Sequence, residues 1–150
     1  MIKNSGKSGA LFFVVLLLSG CATPMQYVPS IDYNVNKGNC PTDKACIYVF
    51  RPASYFGGAL HFEISDNNSV IGMTGPGSYL AWQREPGQVN LQSKAENTDN
   101  YNFTAEAGQN YYVLQTVEMG ILSARSIIRP ISKEEAEGYL NSCHPAGKSN

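Results

Sequence analysis

The hydrophobic and polar positions follow two patterns along the chain. Residues 10–18 are uninterrupted apolar chain, preceded by Lys3 and Lys7 and followed by the small residues Ser19 and Gly20. From residue 46 onwards, apolar and polar residues alternate in short runs separated by Gly, Pro, Asn and Asp. Such alternation between turn-forming residues is typical of half-buried β-strands. The sequence therefore predicts an apolar leader followed by a β-rich domain.

Eight segments carry the strand pattern, at residues 46–51, 60–65, 69–73, 78–83, 89–95, 101–105, 111–118 and 123–130. In the first, Ile47 and Val49 face one way while Tyr48 and Phe50 face the other, which favours a central strand covered on both sides. A helix is expected after Ser132, whose hydroxyl would cap it, with the Glu135 side chain reaching back in a capping box. These elements predict an all-β fold, a seven- to eight-stranded antiparallel sandwich with one short C-terminal helix.

The leader has the basic start, apolar centre and small-residue end of a secretory signal. Its apolar run is about half of the roughly 20 residues that a membrane-spanning helix needs. The run Leu18-Ser19-Gly20-Cys21 resembles the lipobox of bacterial lipoproteins, as opposed to an ordinary signal peptide that happens to contain a cysteine. The resemblance implies diacylglycerol transfer to the Cys21 sulfur, signal cleavage between Gly20 and Cys21, and acylation of the new amine. The predicted partner of Cys21 is thus membrane lipid, held through covalent acyl chains.

Four regions follow from this division. Residues 1–20 form the lipoprotein signal peptide, residues 21–44 the lipidated N-terminus and a flexible tether, residues 45–143 the β-sandwich domain, and residues 144–150 a polar tail. By resemblance to the sorting rule of enteric bacteria, Ala22 directs the lipoprotein to the outer membrane, facing the periplasm.

Charge changes the picture by excluding one class of partner. The chain has 11 basic and 12 acidic residues, and removal of Lys3 and Lys7 with the signal leaves 9 basic residues and a formal charge of −3. Nucleic-acid binding depends on clustered basic side chains that neutralise phosphates. No nucleic-acid partner is therefore expected.

Three cysteines besides Cys21 remain in the predicted domain and its flank, namely Cys40, Cys46 and Cys143. An exported domain meets oxidising conditions, so one disulfide among the three is expected. All three pairings are open, with a slight preference for one that includes Cys143, because a longer closed loop gains more in the chain-entropy model. A zinc site at Cys143 and His144 is disfavoured by the adjacent ligand spacing.

No set of residues has the pattern of a catalytic site. His61 and His144 are the histidines, and neither stands near a nucleophile or a cluster of acids in sequence. The expected protein is therefore not an enzyme and holds no cofactor or metal. The expected binding element is the loop with Tyr55 and Phe56, because aromatic side chains are favoured anchors at interfaces. Tyr79 and Trp82 are further candidates for exposure, although Trp82 fits the core better.

These observations predict a non-catalytic binding or scaffold module of the cell envelope, with an envelope protein as its partner. A structural part of an envelope or secretion assembly and an inhibitor of a periplasmic enzyme remain as alternatives.

Several separated motifs resemble a bacterial lipoprotein family of unknown function. They are the opening Ile47-Tyr48-Val49-Phe50-Arg51-Pro52, residues 72–79, the Pro86-Gly87 turn, residues 107–113, and residues 131–140. The family resemblance implies a β-sandwich related to prealbumin-like and PEGA-type domains, and it implies no established activity.

Overall fold

The computed structural model describes residues 38–54 and 58–146. Within them lie nine strands and one helix. The strands are β1 (Ala45–Arg51), β2 (Phe62–Asp66), β3 (Ser69–Thr74), β4 (Ser78–Arg84), β5 (Gly87–Lys94), β6 (Thr98–Ala105), β7 (Asn110–Met119), β8 (Ala124–Ile131) and β9 (His144–Pro145), and the helix α1 is Lys133–Leu140. All eight predicted strands and the predicted helix are confirmed.

The strands form two sheets that pack as a sandwich. One sheet has five strands in the order β8-β7-β1-β4-β9, and the other has four in the order β3-β2-β5-β6. Two pairs in the larger sheet, β1 with β7 and β4 with β9, are parallel, whereas the prediction was of antiparallel pairing throughout. The alternation of apolar and polar residues indicates on which face of the sheet each side chain lies, but it does not indicate which strand pairs with which.

The central position of β1 follows from its two apolar faces. All seven of its residues are buried. Ile47 and Val49 lie in the core between the sheets. Tyr48 and Phe50 lie on the opposite face, in a second cluster that Tyr139 of α1 covers. The predicted coverage of β1 on both sides is confirmed.

Local turn chemistry agrees with the sequence at two places. Asn67 and Asn68, which connect β2 to β3, have φ of 48° and 66°, the left-handed conformation that asparagine tolerates and that tight hairpins require. Ser132 caps α1 by accepting a hydrogen bond from the Glu135 amide at 3.2 Å. The second half of the predicted capping box is wrong, because the Glu135 carboxylate accepts from Arg129 Nη2 at 2.6 Å instead of reaching back.

A buried polar cluster joins the two sheets. The Gln115 amide nitrogen donates to Ser93 Oγ at 2.7 Å and to Ser126 Oγ at 3.0 Å. Its oxygen accepts from Thr74 Oγ1 at 2.5 Å. Thr74, Ser93, Gln115 and Ser126 are each 0% exposed and come from four different strands. Because buried polar groups are stabilising only when paired, this cluster fixes how the sheets face each other.

Both predicted edges of the domain differ from the structure. Residues 38–44 are held to the domain, since Gly38 O accepts from Asn110 Nδ2 and Lys44 O accepts from the Gly108 amide. Residues 38–44, which were predicted as part of the tether over residues 21–44, are therefore part of the folded domain, and residues 21–37 lie outside the described residues. At the other end, His144 and Ala146 donate to Gly77 O and Tyr79 O. The chain thus continues into the larger sheet where a polar tail was predicted.

Candidate functional site

Four residues singled out in the sequence lie outside the described residues. They are Gly20 and Cys21 at the predicted cleavage and lipidation site, and Tyr55 and Phe56 in the predicted binding loop. The roles assigned to them stay predictions.

The disulfide joins Cys40 to Cys46, with 5.7 Å between their Cα atoms, and Cys143 is free. The preference for a pair that includes Cys143 was wrong, and the strand register gives the reason. Cys46 lies opposite Gln83, whereas Cys143 immediately precedes the bridge between His144 and Ser78. The five residue steps from Ser78 to Gln83 separate the two positions by about 17 Å along β4, beyond the reach of a disulfide. Burial raises the pKa of the Cys143 thiol, which makes it less reactive.

The aromatic candidates on β4 belong to the interior. Tyr79 is 1% exposed and Trp82 is 2% exposed. The Trp82 indole donates to Asp66 Oδ2 at 3.1 Å, and Arg84 pairs with the other oxygen of the same carboxylate. The expectation that Trp82 fits the core is confirmed, and these two side chains provide no docking surface.

Among the large apolar side chains of the described residues, those with the highest exposed fractions lie at the tip of the hairpin between β7 and β8. Met119 is 76%, Ile121 is 90% and Leu122 is 93% exposed. We call residues 119–122 the apolar tip. Contiguous apolar residues in a turn expose surface that water disfavours, which is typical of an interaction site.

A single carboxylate holds the apolar tip in shape. Glu96 accepts hydrogen bonds from the amides of Ile121 at 3.1 Å, Leu122 at 3.1 Å and Ser123 at 2.7 Å. Gly120 leaves room for it, because a Cβ atom there would lie 2.2 Å from Glu96 Oε2 and 2.8 Å from Ser123 O. The tip is therefore a formed element whose backbone donors are satisfied before any partner arrives.

A groove of about 470 Å³ lies beside the base of the apolar tip. Leu60 and Met73, both 37% exposed, contribute its apolar surface, and Ser123 and Ala124 connect it to the tip. The groove also carries Glu63 and Lys94, which are register partners on β2 and β5. Tip and groove together form one continuous surface that we take as the candidate docking site.

Sequence reasoning missed this site because residues 119–122 lie between the predicted strands at 111–118 and 123–130 and were given no functional role. The signal was present in Met119-Gly120-Ile121-Leu122, a glycine-containing turn with apolar residues on both sides. Hairpin turns are normally polar, so an apolar turn indicates an interaction site.

The histidines are not part of a reactive cluster. His61 is exposed at the groove, and its ring lies 2.9 Å from the position that a Cβ on Gly75 would occupy. His144 lies in β9, on the far side of β4 from β1. Over residues 38–54 and 58–146, no three His, Cys, Asp or Glu side chains are grouped to hold a metal ion.

Because the Glu96 carboxylate holds the tip, we expect the stability of the tip to depend on pH. The hydrogen bond from the Ser123 amide lowers the pKa of Glu96 below its usual 4.5. Desolvation opposes this shift, and the hydrogen bonds from the Leu122 and Ile121 amides add to it. A depressed pKa stabilises the folded tip at neutral pH, and this contribution is lost as the pH falls below 4.5 and through the folded pKa. We expect hydrogen exchange at the Leu122 and Ser123 amides to accelerate in acid, relative to intrinsic rates.

Glu96→Gln should accelerate that exchange at neutral pH and remove its pH dependence, with Glu106→Gln, another exposed carboxylate, as the matched control. Equal protection of the Ser123 amide in wild type and Glu96→Gln at pH 7 would contradict this account of the tip.

No helix of the described residues has the length and apolar character to cross a bilayer.

Comparison with known proteins gives one family. Searches of curated proteins and of solved structures found no match. A family model described as a protein of unknown function (DUF2846) matches residues 41–126, which include β1 to β7 and most of the tip-forming hairpin. The chain therefore belongs to the DUF2846 family of proteins of unknown function.

Proposed function

We propose that this protein is a lipid-anchored, non-catalytic binding module of the cell envelope, held in the outer membrane with its β-sandwich facing the periplasm. The observation that carries the anchor is the run Leu18-Ser19-Gly20-Cys21 after a short apolar segment. Thiolates are better nucleophiles than hydroxyls near neutral pH, so a cysteine at this place suits acyl transfer. Two or more acyl chains give stable attachment to a bilayer.

The binding role rests on the apolar tip. Three aliphatic side chains are exposed by 76–93% on a loop that Glu96 holds in one shape. An ordered loop loses little conformational freedom on binding, which favours association. The separated motifs of the β region also support the proposal of kinship with prealbumin-like and PEGA-type domains.

Intact mass of the protein extracted from membranes tests the anchor. We expect the mass of residues 21–150 with three acyl chains, two of them removed by mild base because they are ester-linked. Reductant should add only the hydrogens of one disulfide, as Cys40–Cys46 requires. An unacylated chain, or one that retains residues 1–20, would refute the proposed anchoring.

A further inference from the structure

We propose that the outer edge of β6 pairs with β6 of a second copy of this chain, antiparallel and about a two-fold axis at Asn102. The smaller sheets of the two copies would then join into one eight-stranded sheet. This inference goes beyond the proposed function, because it uses neither the anchor nor the apolar tip. Its basis is a comparison of the four strands at the edges of the two sheets, which are β3, β6, β8 and β9.

The outer edge of β8 is closed by side chains. The Asn97 side-chain amide bonds both backbone groups of Ser126, with Nδ2 donating to the carbonyl at 2.8 Å and Oδ1 accepting from the backbone amide at 2.9 Å. Asp99 Oδ2 accepts from the Ile128 amide at 2.8 Å, and Pro130 has no amide hydrogen. Covering an edge and placing proline on it both prevent the edge from pairing with another chain.

Two further edges are short or irregular. β9 has two residues. The pairing of β3 with β2 shifts register between Ile64 and Ser65, and a bulge of this kind makes an edge a poor template for a further strand. β6 has eight residues and a continuous register with β5. In the described part of the chain, β6 is therefore the edge best suited to receive another strand.

Alternate backbone groups of β6 point away from β5. On β5, the Asn90 amide donates to Asn67 Oδ1 at 2.7 Å and the Asn90 carbonyl accepts from the Asn67 amide, so the even-numbered residues of β5 face β2. The odd-numbered residues of β5 face β6, and the register places the odd-numbered residues of β6 opposite them. Asn102 and Thr104 thus direct their amides and carbonyls outward, where no described residue bonds them.

An extended strand is the occupant that these outward groups fit. Its own amides and carbonyls alternate at the same spacing, so each finds a partner along the edge. A two-fold axis at Asn102 places Asn102 opposite its own copy, and Asn100 opposite Thr104 of the second copy. The Asn102 and Thr104 amides of both copies would then gain four hydrogen bonds that the single chain lacks.

The charges favour a second copy of the same strand. Residues 100–105 carry no charged side chain. In the proposed register, Asp99 lies opposite Ala105 of the second copy, and Glu106 lies opposite Thr98 of the second copy. Because like charges directly opposite each other destabilise a strand pair, an edge whose acids face uncharged residues is suited to pairing with itself.

The aromatic side chains at this edge favour the same register. Tyr101 and Phe103 are half-buried, and their ring centroids lie 4.9 Å apart. In the proposed pairing, Tyr101 of each copy lies opposite Phe103 of the other, in the closely spaced pairs that exchange no hydrogen bonds. Cross-strand aromatic pairs stabilise a sheet. Side chains and backbone therefore both match a second copy of β6.

Disulfide crosslinking in cells tests the pairing. The full chain carries Cys143→Ser, which removes the free thiol of the described residues, together with Asn102→Cys. Mild oxidation should give a disulfide-linked dimer, because the Cα atoms of a hydrogen-bonded antiparallel pair lie about 5.5 Å apart, within reach of a disulfide. The control Gln88→Cys lies on the same exposed face, on β5. It would lie at least about 14 Å from its own copy and should give at least tenfold less dimer.

Asn102→Pro separates pairing from folding. Proline is tolerated on an edge strand where the amide faces outward, so the change removes a donor that only the second copy would use. It also removes the hydrogen bond from Asn90 Nδ2 to Asn102 Oδ1, and Asn90→Ala removes the same bond while leaving the edge intact. Sedimentation of the purified full chain in density-matched detergent should show dimers for wild type and Asn90→Ala. For Asn102→Pro the dissociation constant should rise by about tenfold or more.

Asn102→Lys is a second variant, which keeps the backbone amide. The two-fold axis brings the two lysines directly opposite each other, so dimerisation should weaken severalfold at low salt and recover in part at high salt. Gln88→Lys adds the same charge away from the axis and should have little effect.

Four results would overturn the proposal. They are equal crosslinking yields from Asn102→Cys and Gln88→Cys, a wild type that is monomeric at all concentrations, a dimer that neither Asn102→Pro nor Asn102→Lys weakens, and crosslinking of Asn102→Cys to another protein in place of its own copy. Sedimentation in detergent does not depend on cleavage or acylation, so failure of the anchor remains distinguishable.

Discussion

Cys21→Ser is expected to remove the protein from its membrane. A serine hydroxyl does not accept the diacylglycerol group, because it is not ionised near neutral pH as a thiol partly is. Each methylene inserted in the bilayer contributes about 0.8 kcal/mol, so losing the acyl chains removes most of the membrane affinity. We expect radiolabelled palmitate incorporation to fall to background. The chain should accumulate as an uncleaved precursor or be recovered outside the washed membrane fraction.

Cys143→Ser is the matched control for that experiment. Cys143 is a free thiol, so the same substitution there should leave labelling, cleavage and fractionation unchanged. A Cys21→Ser chain that still matures and fractionates like wild type would refute lipidation at this residue. Loss of label in Cys143→Ser would show that Cys143, and not Cys21, carries the acyl chains.

Gln115→Ala is expected to destabilise the domain strongly. It leaves a cavity and removes the three hydrogen bonds that Gln115 makes with the hydroxyls of Thr74, Ser93 and Ser126. Thr74 keeps its bond to Phe62 O, and Ser93 and Ser126 keep the bond between them. Each lost hydrogen bond is worth about 1 kcal/mol, and truncation in a packed core adds to this. We expect the free energy of unfolding in urea to fall by about 3 kcal/mol or more.

Gln88→Ala is its control, because Gln88 Nε2 bonds Thr104 Oγ1 at an exposed site and should matter by less than about 0.5 kcal/mol. Replacing the whole cluster by Thr74→Val, Ser93→Ala, Gln115→Leu and Ser126→Ala should recover much of the loss, since apolar groups leave nothing unpaired. A Gln115→Ala protein as stable as the Gln88→Ala protein would contradict the role given to this cluster.

Much of the fold could be predicted because its signals are local. Asn67 and Asn68 predict a hairpin turn, and Ser132 predicts the start of a helix. Alternating apolar and polar residues in each segment predict a strand. The pairing of β1 with β7 could not be predicted, because it joins residues 64 positions apart (Cys46 with Asn110) and no local rule encodes that choice. The same limit explains the disulfide, since only the register places Cys143 away from Cys46.

The polar core was equally beyond sequence reasoning. Ser93 stands on a strand whose alternation is clear, and its side chain does point inward, where a hydroxyl is unexpected. What makes it acceptable is Gln115, 22 residues later. Burial of a polar residue is favourable only with its partner in place, and the partner is a property of the tertiary structure.

The central place of β1 has a consequence for biogenesis. Among the described strands, β1 is the first to emerge from the ribosome, yet it hydrogen-bonds to β4 on one side and to β7 on the other. Until Asn110–Met119 has been synthesised, the larger sheet lacks the strand that joins β1 to β8 and stays incomplete. Roughly the first three quarters of the polypeptide thus leaves the translation machinery without a finished fold, the state in which a chain can be threaded through a translocation channel.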